Sequence, residues 1–159
     1  MSTLLRAIEF LSLSLWLGSD LFLSFVVAPG AFRILSRDQA GAMVGFSLNR
    51  MHLGGIVCGL VILAARLART RTFASLATPA ALCVVLMIAL TAISQYAVST
   101  KMAALRMHMG SIQATAADSP LLAAFARLHA ISVSMESAVL LAGLAAIYLL
   151  VRELALKIS

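Results

Sequence analysis

Acidic and imidazole side chains occur inside stretches that are otherwise apolar, at Asp20, His52, His129 and Glu136. In apolar surroundings a carboxylate needs a partner, a proton or water. His129, Ser132 and Glu136 are spaced i, i+3, i+7, so a helix would place them on one face. Acids and imidazoles collected on such a face could bind a small cation, a proton or a polar solute.

The composition identifies the class of protein that must position these residues. The chain has 159 residues, of which 62% are hydrophobic, and its mean hydropathy is +1.05. Roughly 20 apolar residues cross a bilayer as a helix, and four stretches of that kind are present. We expect one all-α membrane domain over residues 1–159, a four-helix bundle with spans at about 4–28, 42–67, 73–99 and 121–151.

The ends of these spans carry their own signals. Pro29-Gly30 predicts the end of the first helix, followed by a polar connection at 31–39. After Lys101, apolar residues keep a helical spacing as far as Ile112, which predicts a third helix that is extended beyond the membrane. Ser119 and Pro120 are typical of the start of the last helix.

The predicted topology collects the polar residues in one half of the membrane. Asp20 and Gln95 come late in their spans, whereas His52, His129 and Glu136 come early in theirs. Counting about 1.5 Å per residue, we expect a polar recess with Asp20, His52 and His129 roughly 11–15 Å deep and Glu136 near the midplane. We expect almost nothing polar in the opposite half except terminal charges. The candidate binding residues are Trp16, Asp20, Asn49, His52, Gln95, His129, Ser132 and Glu136.

A structural role is the alternative for some of these candidates. Interhelical hydrogen bonds of about 0.6 kcal/mol commonly hold membrane bundles together, and Asn49, Gln95 and Ser132 suit that role. Trp16 could be a packing or interfacial aromatic residue. Burying a carboxylate in a membrane costs more free energy than burying a neutral polar group, which favours a functional role for Asp20 and Glu136.

The net charge of +6 does not indicate nucleic-acid binding, because the basic residues stand at the ends of the spans. The short turn at 66–71 contains three arginines and no acid, which predicts cytoplasmic termini by the positive-inside rule.

Small residues and cysteines inside the spans suggest packing roles. The pairs Gly41/Gly45 and Gly55/Gly59 allow helices to approach closely, either within the bundle or against a second copy of the chain. Cys58 and Cys83 stand at apolar positions with no CxxC spacing, so we expect both to be reduced and unlinked.

Several short motifs resemble the transmembrane protein 205 family, whose bacterial members carry a domain of unknown function. They are Trp16-Leu17-Gly18, Ala28-Pro29 with Phe32, Ala40-Gly41, Tyr96, Lys101-Met102 and Leu128-His129-Ala130-Ile131-Ser132. The resemblance implies a four-helix protein of the bacterial cytoplasmic membrane without an agreed activity. The family pattern has a second glycine where this chain has Ser19-Asp20, and an asparagine near Glu136, so both departures add an acid.

Three functions remain open from the sequence. The first is binding or movement of a small cation, proton or polar solute at the recess within the lipid bilayer. The second is an accessory subunit of a larger membrane complex. The third is binding of haem b or a divalent metal by His52 and His129. Enzyme activity is not expected, because the sequence contains no nucleophile elbow, phosphate loop or zinc-protease motif.

Overall fold

The computed structural model describes residues 2–156, which form helices and short connections and contain no strand. Four helices are long and apolar enough to cross a membrane: Thr3–Ile34, Arg37–Thr70, Pro79–Met109 and Pro120–Ala155. The all-α four-helix membrane bundle predicted from the sequence is therefore confirmed. Met1 and residues 157–159 of the predicted single domain lie outside the described residues, and that domain assignment stays a prediction.

The four helices pack in chain order around a closed ring. The first packs on the second, the second on the third, the third on the fourth, and the fourth meets the first again. Large apolar side chains such as Leu11, Phe25 and Leu141 are exposed on the outside of the bundle, as a lipid environment requires. The buried core consists of Leu13, Trp16, Leu17, Ile62, Ala80, Val84, Met87, Val139, Ala146 and Leu150.

The first helix does not end at Pro29, so that prediction was wrong. Helix Ser2–Phe22 continues through a π-helical turn, Leu23–Val27, into the helical segment Ala28–Ile34. A proline inside a helix cannot donate to the preceding turn and its ring crowds a carbonyl there. The wider π turn directly before Pro29 gives the ring room and lets the helix run on.

The second helix begins at Arg37, earlier than predicted. Ser36 and Gln39 form a capping box, in which each side chain accepts a hydrogen bond of 3.3 Å from the other residue's backbone N–H. The polar connection expected at 31–39 therefore shrinks to two residues. This helix ends at Thr70, where Arg71 adopts a left-handed conformation with φ 56°.

The third and fourth helices are close to the prediction. A 3₁₀ turn, Phe73–Ala77, precedes helix Pro79–Ile93, which continues through a π turn, Ser94–Val98, into Ser99–Met109. The expected continuation beyond Lys101 is confirmed as far as Met109. The fourth helix starts at Pro120, as predicted. Each span is longer than the roughly 20 residues that a bilayer core requires.

Candidate functional site

Each of the four spans carries a polar residue close to the middle of its length. Asp20, His52, Gln95 and Glu136 each lie within about two residues of the midpoint of their span. Ser94, beside Gln95, joins them, and we call these five residues the midspan cluster. The midspan cluster contains four residues of the predicted recess, Asp20, His52, Gln95 and Glu136. It lies nearer the centre of the helices than predicted because the first and second spans extend further than the sequence indicated.

His52 is the centre of the midspan cluster and is fully buried, with 0% of its surface exposed. Its Nδ1 lies 2.9 Å from Gln95 Oε1, and its Nε2 lies 2.6 Å from Glu136 Oε1. Ser94 Oγ donates to the same Glu136 oxygen at 3.3 Å. One imidazole therefore connects the second helix to the third and the fourth.

The proton arrangement around His52 depends on the orientation of the Gln95 amide and on the proton that His52 shares with Glu136. In the observed orientation both partner atoms are oxygens, so the ring is either an imidazolium that donates from both nitrogens to Gln95 and an ionised Glu136, or a neutral ring that donates from Nδ1 to Gln95 and accepts from a protonated Glu136. Rotation of the Gln95 amide by 180° would present its NH₂ group to Nδ1 instead, and a neutral ring would then still donate from Nε2 to Glu136. Each of these arrangements has a proton between His52 and Glu136.

A π turn positions two neighbouring residues of the third helix toward the interior. Ser94 and Gln95 are both buried, although successive residues of an α-helix point in directions about 100° apart. The π turn at Ser94–Val98 locally widens the helix at this level. Single π turns of this kind frequently occur at functional sites.

Asp20 supplies a second carboxylate to the midspan cluster. It is 1% exposed, and Ser24 Oγ donates to its Oδ1 at 3.3 Å. Asp20 is close enough to Glu136 and His52 to interact with both electrostatically. Asp20 Oδ2 and Glu136 Oε2 are buried and have no hydrogen-bond partner among residues 2–156, and the same holds for Thr91 Oγ1, one helical turn before Gln95. Buried polar atoms without partners are costly, so these oxygens are places where a proton or a cation would be stabilised.

An apolar layer closes the midspan cluster on the side of the chain termini. The indole of Trp16, one turn before Asp20, is buried and contacts Gly55 of the second helix. A methyl group at Gly59 would lie 2.8 Å from the same indole. The Gly55/Gly59 pair therefore packs within this bundle.

Three other predicted candidates lie around the midspan cluster. Ser132 is buried one turn before Glu136, whereas His129 and Asn49 are exposed. The expectation that His129 points into the bundle was wrong. The buried residues of the fourth helix follow a heptad-like seam, including Ser132 and Val139, and His129 lies on the flank of that seam.

The arrangement of the histidines does not fit a haem held by two axial imidazoles. Both ring nitrogens of His52 already have partners within hydrogen-bonding distance, and His129 is on the outside of the bundle. Within residues 2–156, no group of three or more His, Cys, Asp or Glu side chains is arranged to hold a metal ion. Cys58 and Cys83 are free, as predicted.

A second polar group, which sequence reasoning missed, lies at the end of the bundle that contains the termini. Arg66 is 3% exposed and donates to both Glu153 carboxylate oxygens, at 2.6 and 2.8 Å. It also donates to Ser75 O at 3.0 Å and to Thr78 Oγ1 at 2.7 Å. One guanidinium thereby connects the second helix to the fourth and to the start of the third.

The first helix joins this group through Glu9. Glu9 is 2% exposed and accepts hydrogen bonds from Arg69 at 2.9 and 3.3 Å, while Arg66 Nη1 lies 3.8 Å away. We call Glu9, Arg66, Arg69 and Glu153 the terminal ion-pair network. These are terminal charges of the kind expected in this half, and the structure shows that they pair across the first, second and fourth helices. The sequence did contain a signal that Glu9 faces the interior, because Glu9 shares a helical face with Trp16 and Asp20.

Comparison with known proteins gives the family. The profile described as "Domain of unknown function (DUF4149)" matches residues 11–111, and the chain belongs to this family. This agrees with the uncharacterised bacterial domain inferred from the short motifs, while the transmembrane protein 205 label stays a prediction. No curated protein and no solved structure matches the chain.

Proposed function

We propose that this member of the DUF4149 family is a small membrane protein that binds a proton or a small cation at the midspan cluster. The observation that carries the proposal is the pair of buried carboxylate oxygens, Asp20 Oδ2 and Glu136 Oε2, for which the described part of the chain supplies no hydrogen-bond partner. They belong to helices that meet in the bundle, and His52 lies near both acids.

The charge of the midspan cluster supports binding of a positive ligand. Two ionised carboxylates and one imidazolium have a formal charge of about −1, and a neutral imidazole would leave about −2. A net charge is expensive inside a membrane bundle unless a counter-ion is close. The basic residues of the terminal ion-pair network, Arg66, which is buried, and Arg69, which is partly buried, are held near the helix ends by Glu153 and Glu9. A proton or a cation bound at the free carboxylate oxygens would neutralise the cluster.

The side of the first and third connections is the more polar route to the midspan cluster. Trp16 and the apolar core close the opposite side. Lys101 and Arg127 are exposed, about seven and ten residues from the midpoints of their spans, which corresponds to roughly 10–15 Å along the helices. Basic side chains at that level mark a headgroup boundary, so the ligand would enter from that face.

Thermal unfolding of the purified protein in detergent tests the proposal. Wild type should unfold at a temperature that depends on pH or on added sodium, potassium or calcium, because a ligand that binds the folded state stabilises it. Asp20→Asn and Glu136→Gln should weaken that dependence and retain helical content. Asp118→Asn, which changes an exposed acid in the connection before the fourth helix, should behave like wild type. If all four proteins respond identically to pH and to each cation, the proposal is wrong.

The sequence also predicts features that the proposal does not need. The bacterial cytoplasmic membrane as location and cytoplasmic termini stay predictions, and an accessory role in a larger complex stays an alternative function.

A further inference from the structure

The end of the bundle at the first and third connections contains an arginine that lies across a neighbouring helix. A methyl group at Gly41 would lie 2.6 Å from Arg106 Nη2, and one at Gly45 would lie 3.9 Å from Nη1. On the other side, the guanidinium carbon lies 5.7 Å from the centroid of the Phe125 ring. Arg106 of the third helix is therefore held between the second and fourth helices, and we call this arrangement the Arg106 cradle.

The guanidinium in the Arg106 cradle has donors that the described chain does not use. Its Nε is buried without a hydrogen-bond partner, and no hydrogen bond from its other nitrogens is found within residues 2–156. The nearby Asp38 does not pair with it directly, because Ser111 Oγ donates to Asp38 Oδ2 at 2.6 Å and the Ile112 N–H to Oδ1 at 2.8 Å. The Asp38 carboxylate, which interacts with Arg106 electrostatically, is thus already used to hold the third connection.

Arg66 shows what a satisfied buried arginine looks like in the same protein. Its guanidinium donates to a carboxylate, a hydroxyl and a backbone carbonyl of this chain. Arg106 is only partly buried and has an aromatic ring and a glycine surface instead, and no carboxylate within residues 2–156 forms an ion pair with its guanidinium. The difference between the two arginines points to a partner for Arg106 that is not part of the chain.

We propose that the Arg106 cradle binds a phosphate group, supplied by a phospholipid headgroup or by free phosphate. A guanidinium is a planar fork of donors that matches phosphate oxygens and forms short, charge-assisted hydrogen bonds with them. Gly41, Arg106 and Phe125 lie roughly 18 Å from the midpoints of their spans, just beyond the half-thickness of about 15 Å of a bilayer's hydrocarbon core. This is the level at which lipid phosphates occur.

Native mass spectrometry of the delipidated protein in detergent tests this proposal. When each lipid is added back, wild type should bind phosphatidylglycerol, and it should bind diacylglycerol, which lacks the phosphate, much more weakly. Arg106→Gln should lose at least tenfold in affinity for phosphatidylglycerol, whereas Lys101→Gln, which removes an exposed charge from the same helix, should change it little. Competition by inorganic phosphate would assign the cradle to free phosphate, and retention of lipid in excess phosphate would assign it to the headgroup.

A second variant tests the position of the guanidinium while its positive charge is retained. Gly41→Ala retains the guanidinium but displaces it, so it should also weaken phosphate-dependent binding. Gly30→Ala, where no atom lies within 4 Å of the added methyl group, is its matched control and should bind as wild type does. Circular dichroism and elution volume confirm that each variant is folded. Affinities for phosphatidylglycerol and inorganic phosphate that are unchanged in folded Arg106→Gln would overturn the proposal.

Discussion

His52 Nε2 lies 2.6 Å from Glu136 Oε1, near the middle of the second and fourth helices. His52 is fully buried, and the Glu136 side chain is 13% exposed. Because lipid surrounds a membrane bundle at this level, the two side chains depend for hydrogen bonding on each other and on Gln95 and Ser94. The contact places an exchangeable proton in the interior of the bundle. It also connects the second helix to the fourth, which are distant in the chain.

Replacement of His52 should destabilise the bundle strongly. His52→Ala leaves Glu136 and Gln95 without their shared partner, and removal of one member of a buried ion pair typically costs about 3–5 kcal/mol. The free energy of unfolding in mixed detergent and dodecyl sulfate micelles measures the loss. His129→Ala, at an exposed position, should change it by less than about 0.5 kcal/mol. Equal losses in the two variants would contradict the assignment of His52 to the centre of the cluster.

Two adjacent glycines should respond differently to the same substitution. A methyl group at Gly55 would lie 2.5 Å from Trp16 Cε2 and 2.9 Å from Cδ1, whereas at Gly54 it would meet no atom within 4 Å. Gly55→Ala should therefore cost about 1–3 kcal/mol through overpacking and alter the fluorescence of the single tryptophan. Gly54→Ala should be neutral or slightly stabilising, because alanine favours a helix. A normal emission spectrum for Gly55→Ala would show that the indole does not pack there.

The terminal ion-pair network should be a major source of stability. Arg66→Gln removes the donors to Glu153, Thr78 and the Ser75 carbonyl, so we expect a loss of about 3–5 kcal/mol in the free energy of unfolding. Arg152→Gln, an exposed arginine beside Glu153, is the control and should cost little. Comparable values for the two variants would mean that the buried contacts contribute no more than a surface charge.

Much of the fold could be predicted because lipid imposes strict rules. Four apolar stretches specify four helices, and their alternating direction specifies which polar residues share a level. That reasoning placed Asp20, His52 and Gln95 in the interior, where the structure has them. Their role in binding stays a prediction.

The errors have local physical causes. Pro29 suggested a helix end, but a π turn directly before it lets the helix continue. This turn could not be predicted, because its hydrogen-bond pattern is not specified by any single residue type. His129 and Glu136 do lie on one side of the fourth helix, as their spacing predicted. His129 is nevertheless exposed, because the packing of the neighbouring helices decides which part of that side is covered. Arg66 was interpreted as an interfacial anchor, since its burial arises only when Glu9, Thr78 and Glu153 converge from three other parts of the chain.

Infrared difference spectroscopy of the carboxyl groups tests the central claim most directly. In wild type without added cations, we expect a C=O stretching band of a protonated, buried carboxylic acid that decreases at alkaline pH or when the bound cation is added. The band should be absent from Asp20→Asn/Glu136→Gln and unchanged in Asp118→Asn. A wild-type spectrum that shows only ionised carboxylates, with no response to pH or to sodium, potassium or calcium, would contradict proton or cation binding at the midspan cluster.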